Sequence, residues 1–168
     1  MKKLVSLFVV IFATTALWAF DFVGDNFLCY NITSSSEPYT VEVTCQVSFS
    51  RENYYGISSF TIPTAVEHDG ITYAVTGIDD RAFLNCFALK SITIPEGITN
   101  IGSLAFKLCK ALTSITIPNS VTNIGDFAFE KDSSLTSITI GSGVTSIGSR
   151  AFSETESISK FVCLSPHL

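Results

Sequence analysis

Three short phrases in this chain carry residue types that do chemistry. Ser157-Ile158-Ser159-Lys160 has the Ser-x-x-Lys spacing in which a lysine one helical turn away activates a serine nucleophile. His68 beside Asp69 joins an imidazole base to a carboxylate that could orient it. Gly141-Ser142-Gly143 offers the permissive backbone of a phosphate loop. The five Cys and two His include no Cys-x-x-Cys and no His-x-x-x-His, so no ligands stand at zinc or iron spacing and neither a metal nor a cofactor is expected.

Each phrase needs an element to position it, and the surrounding pattern supplies the wrong ones. Ser157 to Lys160 lies in strand register, where residues three apart point to opposite faces. His68 falls in a hairpin turn with no Ser or Cys placed for it to activate. Gly141 to Gly143 lacks the following lysine and the strand-to-helix context. The expected catalytic set is therefore empty, and the chain reads as a non-enzyme.

Of 168 residues 46% are hydrophobic and 15% charged, enough for one sizeable core. Ten Lys and Arg against 15 Asp and Glu leave a net charge of -5, which disfavours nucleic acid and anionic lipid as partners. The first residues, MKKLVSLFVVIFATTALWAF, read as an export signal: Lys2 and Lys3 precede an apolar run from Leu4 to Ala13 too short to span a membrane. Cleavage is expected after Ala19, with Ala16 as the alternative. It would remove two lysines, no acid and the only Trp, taking the charge from -5 to -7. No second apolar span follows. Residues 20–88 hold nine acids against Arg51 and Arg81, whereas residues 89–152 are nearly neutral.

The organising feature is a period of 23 residues. Ile-x-x-x-Ala-Phe recurs at Ile78 to Phe83, Ile101 to Phe106, Ile124 to Phe129 and Ile147 to Phe152. Leu89-x-x-Ile92-x-Ile94-Pro95 keeps the same step to Leu112 through Pro118 and Leu135 through Gly141, and Ile158, Phe161 and Cys163 fall in register. Ile98, Val121 and Val144 add another column. A unit this small cannot bury its own apolar residues and must stack on copies of itself. In Ser114-Ile115-Thr116-Ile117 the alternation turns both Ile inward and both hydroxyls outward. Pro118 ends that strand, Val121 to Ile124 extends again, and Gly125 is expected to let the chain turn before Ala128 and Phe129 return to the core. Phe83, Phe106, Phe129 and Phe152 would stack as a spine, while Lys107, Glu130 and Ser153, which follow the Ala-Phe pair, are expected outward.

The phrase LTSITIPNSVTNIGDFAF at 112–129 resembles the BspA-type leucine-rich repeat, a bacterial and protist surface-protein family with the pattern L-x-x-I-x-I-P-x-x-V-x-x-I-G-x-x-A-F. A Cys often follows three places later; Cys86 and Cys109 hold that position, Asp132 replaces it in the third unit and Thr155 in the fourth. The resemblance covers residues 60 to about 163 and implies a leucine-rich-repeat solenoid of the α/β horseshoe class, mostly short strands with turns. It also implies adhesion to host matrix proteins or to other cells as the function.

Upstream, Ile62-Pro63 stands 32 residues before Ile94-Pro95 instead of 23, and the excess is a hairpin turning at His68-Asp69-Gly70. Asn26 to Thr33 and Tyr39 to Phe49 read as two strands around Ser34 to Pro38. The expected layout is a signal at 1–19, an N-terminal β cap at 20–59 and repeats over 60–168, with units near 60–88, 89–111, 112–134 and 135–157 and a partial one at 158–168. The last segment reads either as a cap or as an interrupted unit. Cys86 and Cys109 are expected to form a buried thiol ladder, and Cys29 and Cys45 could pair across the cap strands. The sequon Asn31-Ile32-Thr33 is expected to be silent.

What remains is a surface. Ser91, Ser114 and Ser137, with Thr93, Thr116 and Thr139, should form two outward rows on the strand face, the candidate site for a protein partner. A carbohydrate is the alternative, weakened because Tyr30, Tyr39, Tyr54, Tyr55 and Tyr73 all precede the regular repeats and leave that face without a stacking platform. Ice binding through the Thr row is a further, weaker rival.

Overall fold

The computed structural model of the chain describes residues 20–24, 28–44 and 57–168. The export signal, Cys45 and the end of the strand expected at Tyr39–Phe49 lie outside them. From the N-terminus, β1 (Phe22–Val23), β2 (Cys29–Ser34) and β3 (Thr40–Thr44) make an antiparallel meander. After β4 (Ser59–Thr61), the hairpin expected around Asp69-Gly70 joins β5 (Ala65–His68) to β6 (Ile71–Ile78). Both turn residues have positive φ, 50° and 76°, the backbone twist that a two-residue hairpin requires.

Each following unit contributes two short strands: β7 (Ser91–Thr93) and β8 (Asn100–Ile101), β9 (Ser114–Ile117) and β10 (Asn123–Ile124), β11 (Ser137–Ile140) and β12 (Ser146–Ile147). The next is β13 (Lys160–Cys163). The first strands of successive units pair in parallel one period apart, Ile115 with Ile138 and Ile138 with Phe161, so their inward side chains form columns. The second strands do likewise, Ile78 with Ile101, Ile124 and Ile147 in turn. Because β3 pairs in parallel with β6, one sheet runs from β1 to β12 and joins the N-terminal strands to the repeats. No helix occurs among the described residues, so of the α/β description only the strand half is present.

The third side of each coil, carrying the Ala-Phe pair, is a turn segment with its own ladder. Phe83 N–H donates to Ala105 C=O, Phe106 to Ala128 and Phe129 to Ala151, each at 2.7 Å. Alternate amides close tight local turns, as from Ala82 to Asp79 C=O. Two residues per unit sit in the left-handed region to make the bends: Arg81, Leu104, Phe127 and Arg150 in one column, and Asn85, Leu108, Lys131 and Glu154 in the other. The turn expected at Gly125 is therefore made elsewhere. Gly125 is needed for closeness, since a Cβ there would stand 2.5 Å from the Ser103 amide nitrogen of the preceding unit. Gly102 and Gly148 meet the same limit.

Inside, the rings of Phe83, Phe106, Phe129 and Phe152 stack 5.1–5.2 Å apart and within 8° of parallel. The first three are fully buried and Phe152 is half-buried. Both ends of this stack are covered by phenylalanines from the strand column that is Ile in the middle units. Phe60 leans on Phe83 at 6.4 Å, and Phe161 stands edge-on to Phe152 at 6.2 Å.

Candidate functional site

The two hydroxyl rows lie on the sheet of first strands. Ile92, Ile115 and Ile138 point into the core, so period-two alternation aims Ser91, Thr93, Ser114, Thr116, Ser137 and Thr139 outward. Ser114 pairs with Ser137 and Thr116 with Thr139, each row stepping by one strand spacing, about 4.8 Å. The rows extend further than expected. β4 pairs with β7 in register, Ser59 with Ser91 and Thr61 with Thr93, so the hydroxyl surface begins one strand earlier. At the other end it gives way to Lys160 and Val162. Aligning Ile62-Pro63 with Ile94-Pro95 would have placed Ser59 and Thr61 in these rows, but the hairpin interrupts the period that made the other members visible.

Hydrogen bonding separates these hydroxyls from the rest. Thr99, Thr122 and Thr145 each donate to the carbonyl one unit back, at 3.1 Å. Thr136 donates to Thr113 C=O at 3.0 Å and Ser120 to Ile98 C=O at 2.7 Å. Those columns tie coil to coil. The six hydroxyls of the two rows donate to no group among the described residues and remain open to solvent or a ligand. The outward positions of β4, β7, β9 and β11 are all Ser or Thr, so hydrogen bonding and shape are what these rows offer a partner.

The other chemical phrases are dispersed. Ser157 Oγ donates to Ser133 C=O at 2.6 Å, Ser159 Oγ to Thr136 C=O, and Lys160 opens β13, so no serine–lysine pair forms. Ser142 N–H donates to Asn119 Oδ1 at 2.9 Å, making the Gly-Ser-Gly phrase part of an inter-unit turn. His68, expected in a solvated turn, is half-buried: its ring lies flat on Phe22 with centroids 4.1 Å apart, and Nε2 is 3.5 Å from Asp69 Oδ2. Sequence reasoning missed this because β1, which brings Phe22, is only two residues long.

On the third side, Glu130 is buried instead of outward, and the Lys107 ammonium from the preceding unit lies against its Oε2. The Lys107 ammonium also sits 5.6 Å from the Phe127 ring centre. Cys86 and Cys109 are buried in the next column; Cys109 Sγ donates to Phe83 C=O at 3.3 Å, and burial pushes its thiol pKa well up. Asp132 takes the thiol's place with no exposed surface. Its Oδ1 accepts the Cys109 N–H at 2.8 Å, while Oδ2 has no partner. Burial raises its pKa from 3.8 to about 8, the Cys109 amide opposing the shift. Among the described residues no three His, Cys, Asp or Glu converge as a metal site. Cys29 is buried in β2, and its expected partner Cys45 lies outside the described residues.

Residues 70–166 match the family described as the BspA type leucine rich repeat region, in six copies. The chain is similar to a leucine-rich repeat protein from Bacteroides ovatus, at 32% identity and a TM-score of 0.59, covering 85% of this chain and 41% of that one. It is also similar to a leucine-rich repeat protein from Bacteroides capillosus, at 24% identity and a TM-score of 0.69, covering 85% of this chain and 96% of that one. The pneumococcal vaccine antigen PcpA shares the fold at 20% identity and a TM-score of 0.58, over 86% of this chain and 47% of its own. Among curated proteins none matches the sequence.

Proposed function

Because the chain belongs to the BspA-type leucine-rich repeat family, we propose that it is an exported, non-enzymatic protein that binds a protein partner through the outward face of its Ser and Thr strands. The site is Ser91, Thr93, Ser114, Thr116, Ser137 and Thr139, continued by Ser59 and Thr61, and the setting is adhesion at the cell surface or outside the cell. One observation carries the choice of face: the Thr99–Thr122–Thr145 column and Thr136 tie coil to coil, while the six row hydroxyls donate to no group among the described residues. A partner's backbone or polar side chains can therefore bond to them without breaking an internal bond. Host matrix proteins and proteins of other cells are the partner classes to which family resemblance points.

The test is binding of the purified mature chain to an immobilised host extracellular-matrix extract. Thr93→Lys, Thr116→Lys and Thr139→Lys together should weaken binding by more than about tenfold, because three desolvated charges would oppose docking. Ser133→Lys with Glu156→Lys, on exposed positions off this face, should leave it unchanged. Equal loss from both sets would mean adhesion without a site and would overturn the assignment.

A further inference from the structure

Away from the hydroxyl face, the N-terminal strands form an open groove of about 650 Å³ lined by Glu37, Pro38, Tyr39, Ala65, Thr72 and Ala74. Its floor is the outward face of the β5–β6 hairpin, where Ala65 lies directly opposite Ala74. Both are exposed, and alanine is a poor choice for an exposed strand position, where Thr or Val would fill the pleat. The opposed pair leaves a dip. Its wall is the segment from Glu37 to Tyr39, fixed to the floor by the Ala74 N–H donating to Tyr39 C=O at 2.9 Å. The Tyr39 ring packs edge-on against Tyr73, 5.7 Å between centroids.

Charge says what the groove would take. Glu37 stands on the rim, and Glu67, opposite Thr72, shares the outward face with Ala65. Neither carboxylate has an ion-pair partner among the described residues. They belong to the stretch 20–88, which holds nine acids against two arginines. An apolar floor with one unpaired carboxylate on its rim and a second two residues along the same strand face matches a side chain with an aliphatic stem and a cationic head.

We propose that this groove is a second docking site, for a lysine- or arginine-bearing segment of a partner protein. The stem lies on Ala65, Ala74 and Pro38, and the head reaches Glu37 and Glu67. The groove shares no lining residue with the hydroxyl face.

The experiment uses a fluorescein-labelled, acetylated oligolysine peptide and the mature chain, followed by anisotropy at low salt. Saturable binding is expected. Ala74→Trp, which fills the dip and keeps every acid, should weaken it about tenfold, and Glu37→Gln with Glu67→Gln should do the same. Glu154→Gln with Glu156→Gln, exposed in the last repeat, removes as much charge elsewhere and should leave binding intact, as should the triple lysine variant of the hydroxyl face. Absence of binding, or unchanged binding in Ala74→Trp, overturns the proposal. If Ala74→Trp does not fold, the two acid-removal pairs decide: equal loss from both means bulk acidity and no groove.

Discussion

Asp132 breaks the thiol column Cys86, Cys109, Asp132, Thr155, and the break is ionisable. With the carboxyl pKa near 8 in the fold and 3.8 as its ordinary value, both states hold the proton below about pH 4. Between those values the unfolded chain releases it and the fold keeps it, so stability falls as pH rises through this window and then levels off. The loss should amount to a few kcal/mol, read from urea midpoints at pH 5 and pH 9, and Asp132→Cys should remove most of that pH dependence. A wild-type pH profile matching that of Asp132→Cys would refute the buried-acid assignment. A second prediction contrasts neighbours. Phe106→Ala should cost about 3–5 kcal/mol as a large-to-small change in the stack. Lys107→Ala should cost about 1–3 kcal/mol, since it strands the buried Glu130. Thermal or urea unfolding of the two variants measures both. Phe106 was legible because phenylalanine recurs every 23 residues. The Lys107–Glu130 contact was overlooked, although opposite charges one period apart were its signal, as they are for Lys131 and Glu154.

At the level of the elements, the period located the repeat strands from β7 to β13, but neither β1 nor the conformation between strands followed from it. Ile115 and Ile117 announce β9 by alternation, and the hairpin at Asp69-Gly70 by its turn residues. The third side carries no such mark: its bends fall on Leu108, Phe127 and Lys131, none of which favours positive φ. The residues occupy it because the inter-unit ladder from Leu104, Phe106 and Leu108 holds them there. Lys131→Val should therefore destabilise by about 1–2 kcal/mol, β-branching being costly in the left-handed region, while Lys131→Asn should be neutral or mildly stabilising. Chemical denaturation midpoints distinguish the two, and a smaller loss for Val than for Asn would contradict the geometry. Similarly, glycine in the Ile-Gly step suggested a turn, yet the structure uses its missing Cβ to bring coils together. Composition names the residue in such cases, and only packing tells which of its properties is in use.

Taken whole, the molecule divides its charge and its hydrogen-bonding surface between two regions. The acid excess lies in residues 20–88, and the uncharged Ser and Thr rows run along the repeats. Salt should separate what the two regions do. Ion-pair attraction between exposed groups fades as the Debye length shrinks from about 14 Å at 0.05 M to about 4 Å at 0.5 M, whereas hydrogen bonds to hydroxyl rows do not depend on it. The oligolysine complex should therefore weaken by at least about tenfold over that range, while matrix-protein binding through Thr93, Thr116 and Thr139 changes little. Anisotropy for the first and surface-immobilised binding for the second give the comparison on one preparation. If salt removes both together, the partner is held by the acidic strands alone and the hydroxyl face loses its assigned role. If it removes neither, the groove holds its ligand by apolar contact and the roles of Glu37 and Glu67 fall.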